Sequence, residues 1–355
     1  MITLQQAYAA LQGRKEFVIT ETEKTISFDY IIVMDDSFND MKYGFIRRNF
    51  RGITFGKNGE LLSLPFPKFF NINQNSESQF VDHKNKNAVV YEKADGSMIH
   101  CYLLDGNIVS STCRSSTNIQ SKDALNFINA DILLQNQIFE SINLGFTPIF
   151  EWVAPHNQVV VWYERPRLVY LMSRNRKTGN YLFEEKYADK VRKFDIRFGD
   201  ILNSVSGENF EGYVCHLEDG NIFKVKTPWY LLRHRSVDLL SKPKYKIYEV
   251  ALNGYIDDVI SLAPITHVEL YKKVQREVEI DLLYSKIELE KKYMEALRHS
   301  GDINDNAHRK RFVELVKGDE NFAAYMMMLS GKNPDGIVKK RLLGKYQELY
   351  PMRVL

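Results

Sequence analysis

The chain changes its hydrophobic rhythm near residue 244, and one uniform fold class cannot accommodate both parts. Before that point, short runs rich in Val, Ile, Phe and Tyr are broken by Asp-Gly and Asn-Gly turns. Two breaks are hairpin signals: HCYLLDGNIVSST, turning at Asp105-Gly106, and EGYVCHLEDGNIFKVKT, turning at Asp219-Gly220. RGITF, TPIFEWV and RLVYLMS are further strand candidates, and 121–143 has helical spacing. After residue 244, Tyr271, Val274, Val278 and Leu282 recur at three- and four-residue spacing, the mark of a helix. NAHRKRFVELV, NFAAYMMML and DGIVKKRLLGKYQELY predict further helices, punctuated by Gly and Pro. The expectation is an α+β domain of antiparallel sheets with flanking helices over 1–244, then an all-helical domain over 245–355.

Composition narrows the function classes. At 355 residues the chain is long enough for two domains, and 44% hydrophobic against 26% charged residues is an ordinary globular balance. No apolar run approaches the ~20 residues of a membrane helix, and MITLQQAYAALQGRKEF lacks the layout of a signal peptide. Cys101, Cys113 and Cys215 are odd in number and show no metal-type spacing, so a reducing, cytoplasmic setting without membrane partners is expected. Forty-eight Lys and Arg against 45 Asp and Glu leave a net charge of +3, too little for binding by bulk electrostatics. An enzyme whose basic residues converge in one groove stays open. Over 245–355, 18 basic residues face 17 acidic ones, as solvated helix faces would.

The strongest local signal is Glu92-Lys93-Ala94-Asp95-Gly96-Ser97, between two strand candidates. A lysine there can present its amine at the rim of a sheet. Taken alone, it is an exposed lysine in a turn. The second hairpin adds to it. If Asp219-Gly220 is a two-residue turn, Tyr213 opposes Lys226 and Cys215 opposes Lys224. Strand alternation then places Glu211, Tyr213, Cys215, Lys224 and Lys226 on one face. Two amines and a carboxylate are costly to bury without partners. An anionic ligand with a metal would satisfy them; a solvated face with a salt bridge is the bland alternative.

These elements form an ordered series: FDY with Tyr30, FRGITF with Arg51, LPFPKFFN with Lys68, the Lys93 motif, Cys113-Arg114-Ser115-Ser116, PIFEWVAP with Glu151, EGYV with Glu211 and FKVKT with Lys224 and Lys226. Between about Phe28 and Trp229 the series resembles the covalent nucleotidyltransferases, and more closely the phage-type RNA ligase 1 family. The resemblance implies an ATP-grasp-like ligase fold and an ATP-dependent RNA ligase. Lys93 would attack ATP and carry AMP. The AMP would pass to an RNA 5′-phosphate, and a 3′-hydroxyl would then close the joint. Tyr30, Arg51, Lys68, Asp95, Gly96, Arg114, Glu151, Lys224 and Lys226 would hold the nucleotide, with Lys224 and Lys226 also stabilising the transition state. Glu211 would place Mg²⁺ or Mn²⁺. Ser115 stands where the family has Gly after Arg114, which leaves that register open, and Tyr30 serves equally as a core residue.

The amine of Lys93 must be neutral to attack, so its pKa is expected well below ~10.4, depressed by Lys224, Lys226 and a metal ion. The resemblance also implies a tRNA broken in its anticodon loop as substrate, a separate end-healing kinase-phosphatase, and the host cytoplasm if the chain is phage-encoded. A DNA ligase or capping enzyme is the first rival. Those carry OB-fold strands after the last lysine motif, whereas the 129 residues after Lys226 predict helices. A catalytically silent RNA-binding module is the second rival, but Lys93, Glu211, Lys224 and Lys226 are all retained.

Overall fold

Period-two alternation decides which side chains of the first part of the chain share a face, and three antiparallel-rich sheets result. The computed structural model describes residues 1–31, 33, 37–301 and 305–352. Its contacts divide the chain into two units, 1–231 and 232–355. The division falls inside the helix Pro228–Leu240, before the sequence boundary at 244.

In the first unit, β1 (Phe17–Glu21), β2 (Thr25–Tyr30), β3 (Ile53–Gly56) and β4 (Leu61–Ser63) form a four-stranded meander. Phe17, Phe28, Phe50 and Phe55 fill its core, where Phe28 stacks on Phe50 at 5.1 Å. A second sheet has five strands in the order β12 (Lys193–Phe194), β6 (Ala88–Lys93), β13 (Gly212–Leu217), β14 (Ile222–Lys226), β5 (Phe70–Asn71). The third runs β11 (Tyr181–Leu182), β10 (Arg167–Asn175), β9 (Phe146–Val153), β7 (Ser97–Leu104), β8 (Asn107–Ser111).

The second and third sheets share one apolar layer. Tyr91 and Ile222 from one meet Ile149, Val153, Val169 and Met172 from the other. On β9 the opposite face, with Phe150 and Trp152, packs on the helices Ile119–Asn129 and Ile132–Asn143. The helical spacing over 121–143 therefore resolves into two helices. Asp131 separates them and caps the second, accepting from the N–H groups of Leu133 and Leu134 at 3.0 and 3.1 Å.

The two Asp-Gly hairpins differ. β7 and β8 join through Asp105-Gly106 as a two-residue turn, with Leu104 opposite Asn107 and positive φ at both turn residues. In the second hairpin Gly212 opposes Lys226 and Val214 opposes Lys224, one residue away from the expected register. Here the loop is Glu218-Asp219-Gly220. The Gly220 N–H donates to the Leu217 carbonyl at 3.0 Å, and Leu217 N–H donates to Asn221 O at 2.9 Å. The slip moves Tyr213 and Cys215 to the opposite face, where they pack with Val90, Phe223 and Val225. They are core residues and do not share the lysines' face.

The second unit is helical throughout its described residues. Its spine is the 36-residue helix Ile265–Ser300, which buries Tyr271, Val274 and Val278. Tyr248, Phe312, Tyr325 and Tyr346 from four other helices complete the core. Two of the buried tyrosine hydroxyls find acceptors: Tyr346 donates to Asp281 at 2.8 Å, and Tyr271 to the Ser236 carbonyl at 2.5 Å.

Candidate active site

Register brings the charged residues together. On β6, Val89, Tyr91 and Lys93 alternate onto the inter-sheet face, as do Gly212, Val214 and His216 on β13 and Ile222, Lys224 and Lys226 on β14. Gly212 pairs with Lys93 on one side and Lys226 on the other. Two lysines thus flank a residue with no side chain. Gly212 has φ 145°, and a Cβ there would overlap the Val225 carbonyl. Glu211, just before it, occupies the space between the amines. Its Oε2 accepts from Lys93 Nζ at 2.8 Å, and its Oε1 lies 3.1 Å from Lys226 Nζ. Glu211 is only 1% exposed.

These groups open on a cavity of about 600 Å³, which Lys93, Asp95, Gly96, Arg51, Arg114, Glu151, Glu211 and Lys226 all line. Glu151 enters from β9, on the same face as Ile149 and Val153. Its Oε1 accepts from the Gly96 N–H at 3.0 Å. Gly96 is small for a reason the sequence did not disclose: a Cβ would strike the backbone carbonyl of Trp152. Its close approach is to β9, and it lines the cavity.

Asp95 is spoken for by the protein itself. Oδ2 accepts from the N–H groups of Val160 and Val161 at 2.7 and 2.8 Å, and Oδ1 accepts from the Tyr230 hydroxyl at 2.8 Å. It shapes the loop that presents Lys93.

Tyr30, Lys68 and Lys224 are not among the residues that line this cavity. Lys68 Nζ donates to the Tyr30 hydroxyl at 3.4 Å, and the Tyr30 ring packs on Phe38. Lys224 and Arg51 both lie over the Phe69 ring at 5.7 Å. Arg114 is at the rim, 63% exposed, with Nε donating to Asp29 at 3.0 Å.

Sequence reasoning missed Tyr230, Tyr163 and Phe69. Tyr230 was the most accessible of them: it follows Lys226 by four residues, at the start of a helix with Pro228 in its first turn. Lys226 Nζ lies over its ring at 4.5 Å.

Electrostatics reverse one expectation. Burial pushes Lys93 down, but Glu211 and Glu151 outweigh it and hold the amine above the ordinary lysine value. The depressed amines are Lys224, at about 7, and Lys68, at about 8. Burial is the main cause in both; for Lys224, the charges of Lys93, Lys68, Arg51 and Lys226 add to it. Glu151 rises to about 8, chiefly by burial, with Lys93 opposing and Glu211 and Asp95 reinforcing.

A divalent cation fits the donor set in one specific way. Glu211 Oε1 is buried, with the Lys226 ammonium at ion-pair distance, 3.1 Å. Among the described residues no cluster of three or more His, Cys, Asp or Glu is arranged to hold an ion unaided. An ion held there by a single carboxylate needs phosphate oxygens and water to complete its shell, which is the habit of Mg²⁺.

A buried lysine in charge contact with carboxylates, beside a second lysine on the neighbouring hairpin, is an arrangement suited to covalent nucleotidyl transfer. Within that class the similarity is to RNA ligases: residues 49–205 match the family model described as RNA ligase. A protein of Thermovibrio ammonificans that bears the name RNA ligase is 29% identical over 79% of this chain and 76% of its own length. RNA ligase 1 of bacteriophage TS2126 is 27% identical, over 60% of this chain and 58% of its own. A protein of Autographa californica nuclear polyhedrosis virus, named as a bifunctional polynucleotide kinase/RNA ligase, is 30% identical over 58% of this chain. The match covers only 33% of that viral protein. Among solved structures, a Naegleria gruberi RNA ligase mutant with ATP and Mn is similar over 47% of this chain and 57% of that one. The identity is 18% and the TM-score 0.37.

Proposed function

We infer that the protein is an ATP-dependent RNA ligase that works through a lysine–AMP intermediate. The observation that carries this is the Lys93–Glu211–Lys226 cluster at the floor of a nucleotide-sized cavity, with Glu151 and Arg51 on its walls. Lys93 Nζ attacks the α-phosphorus of ATP; the P–N bond forms as the bond to pyrophosphate breaks. Before attack the ammonium must lose a proton to solvent, which requires that the charge of Glu211, 2.8 Å away, be drawn off it. Lys226 and Lys224 lie on the same face as Lys93 and stabilise charge on the transferring phosphate. Glu211 would hold a divalent cation, which supplies neutralisation of phosphate charge. An RNA 5′-phosphate oxygen then displaces Lys93 from the AMP phosphorus. Finally the RNA 3′-hydroxyl attacks the activated 5′-phosphate and AMP leaves. Incubation with α-labelled ATP and Mg²⁺, then denaturing electrophoresis, should give a labelled protein band. That band should discharge onto 5′-phosphorylated RNA and seal it to a 3′-hydroxyl end. No band would refute the reading.

The finer reading is repair of tRNA broken in the anticodon loop, after a separate kinase-phosphatase has prepared the ends, in the cytoplasm. In support, helices follow Lys226 where a DNA ligase or capping enzyme would carry OB-fold strands. Cys101, Cys113 and Cys215 are free thiols, and no helix among the described residues is long and apolar enough to cross a membrane. On this reading, residues 1–244 carry the chemistry and 245–355 choose the RNA. A truncation ending near Lys244 should form lysine–AMP yet lose preference for nicked tRNA over a linear oligonucleotide. Loss of labelling or aggregation would make the helices structural instead.

A further inference from the structure

The loop between β9 and β10 carries an indole that the chemistry above does not use. Trp162 is 45% exposed, and its indole makes no hydrogen bond or ring contact among the described residues. A single exposed apolar side chain ordinarily means little. Here the backbone beneath it is fixed at three consecutive residues. Val160 and Val161 donate their N–H groups to Asp95, two positions from Lys93. Trp162 N–H donates to Asn209 Oδ1 at 2.7 Å, and its carbonyl accepts from Asn209 Nδ2 at 3.0 Å. Asn209 lies two positions before Glu211 and takes a left-handed φ of 48°, which asparagine tolerates. The next residue, Tyr163, accepts the Asp95 N–H on its hydroxyl at 3.0 Å. The backbone that carries the indole is therefore held by the same two segments that supply Lys93 and Glu211.

Beside it lies a second cleft, about 620 Å³, walled by Trp162, Tyr163, Arg165, Arg167, Asp189 and Asn209. Arg167 is committed to Asp189 through bonds of 2.5 and 2.8 Å. Arg165 is exposed, with no ion pair among the described residues. Glu164 and Asp189 cancel the two arginines, so the cleft has no net charge with which to track a phosphate backbone. What it offers is a flat aromatic face and one exposed guanidinium.

We propose that this cleft takes a nucleobase of the RNA strand beside the joint, stacked on Trp162 and flanked by Arg165. The proposal rests on the RNA ligase reading. The adenylate belongs to the cavity at Lys93, so the RNA end needs its own surface next to it. Stacking on an aromatic ring is tolerant of base identity, because every base has a π-face. A backbone fixed before binding spares the cost of ordering the loop. The surface therefore acts in the RNA steps and not in the reaction with ATP.

Three substrates on the full chain test it: ATP alone, pre-adenylated RNA with a 3′-hydroxyl acceptor, and the same RNAs with an abasic residue at the terminal donor or the terminal acceptor position. Trp162→Ala should form lysine–AMP within twofold of wild type. It should seal pre-adenylated RNA about tenfold more slowly, and Trp162→Phe should recover most of that loss. Wild type should be slowed by the abasic residue on one side of the joint only, which identifies the strand, and Trp162→Ala should be insensitive to it. Unchanged sealing by Trp162→Ala overturns the proposal. If that variant misfolds and loses labelling too, the abasic substrates decide on wild type: equal sealing with and without the base overturns it. If wild type never forms lysine–AMP, the ligase reading itself has failed, an outcome separate from either.

Discussion

Lys93 and Lys224 project from the same face of the same sheet, on β6 and β14 with β13 between them. Their electrostatic surroundings are opposite. Lys93 meets Glu211 at 2.8 Å and feels Glu151 as well, and keeps its proton more tightly than a free lysine. Lys224 has Phe69 beneath it and cations around it, and holds its proton only to about pH 7. The difference shows that the amine most easily deprotonated in the resting protein is not the proposed nucleophile. Activation of Lys93 then depends on what happens to its carboxylates. Whatever withdraws the charge of Glu211 from Lys93 releases the amine, so nucleotide and metal binding can be coupled to nucleophile activation through one side chain.

The largest expected effect removes one side of this comparison. Lys93→Ala should abolish lysine–AMP formation while the protein stays folded, and mass spectrometry should locate AMP on Lys93 in the wild type. Sealing of pre-adenylated RNA should survive, because it bypasses the first step. AMP found on Lys224 would reverse the assignment.

Next come the groups between and beside the amines. Glu211→Ala and Lys226→Ala should each slow lysine–AMP formation by about 10²–10³, measured in a single turnover with labelled ATP. Glu211→Gln keeps the shape and removes the charge. Competitive acetylation at pH 7.5, without ATP or metal, should modify Lys224 faster than Lys93 in wild type. In Glu211→Gln the reactivity of Lys93 should rise. A wild-type Lys93 already more reactive than Lys224 would break the comparison.

Arg114→Ala should be milder, within about tenfold in lysine–AMP formation. Its guanidinium is largely solvated, and exposed ion pairs contribute only ~0–1 kcal/mol. Any larger loss should fall in the sealing of pre-adenylated RNA.

Much of this was legible from residue order. Lys93, Glu151, Glu211 and Lys226 do line one cavity, and the helices of the second unit fall where the spacing placed them. What escaped depended on contacts remote in sequence. Both hairpins carry Asp-Gly, yet only the first turns in two residues. In the second, Glu218 is drawn out of the ladder by Asn87: its N–H donates to the Asn87 carbonyl at 3.0 Å, and its carboxylate accepts from Asn87 Nδ2 at 2.8 Å. Lys86 holds Asp219 at 2.5 Å. Residues 131 and 133 positions away thus select the three-residue loop, and with it the face of every side chain in β13 relative to β14. The ionisation of Lys93 escaped for a similar reason. Strand alternation from the wrong register gave the lysines' cationic neighbours correctly, but only the pairing of Gly212 with both Lys93 and Lys226 shows Glu211 lodged between them. Asp95 and Gly96 were visible as a motif, whereas their partners, Val160, Val161 and Trp152, lie on segments that the motif does not mention.

The smallest effect is on stability, and its sign separates the two lysines. An unfolded lysine titrates near ~10.4. In the folded protein Lys224 titrates at about 7, so the unfolded chain takes up a proton first as the pH falls. Stability contributed at this site is therefore lost between pH 10 and pH 7, and the loss is complete below that. Lys224→Met should raise the melting temperature at pH 7, by roughly 2 °C or more for a protein of this size. The gain should shrink as the pH rises and vanish only well above ~10.4, where both states are neutral. Lys93 is the reverse case. Its folded pKa is raised by Glu211 and Glu151 despite burial, so the protonated pair stabilises the fold at neutral pH, and that contribution fades only as the pH climbs past the folded value. Lys93→Met should lower the melting temperature at pH 7, because it leaves the buried Glu211 with Lys226 as its only ion-pair partner among the described residues. Thermal scans of both variants at pH 7 and pH 10 decide the matter: shifts of the same sign at pH 7 would mean that the two amines do not occupy opposite electrostatic environments.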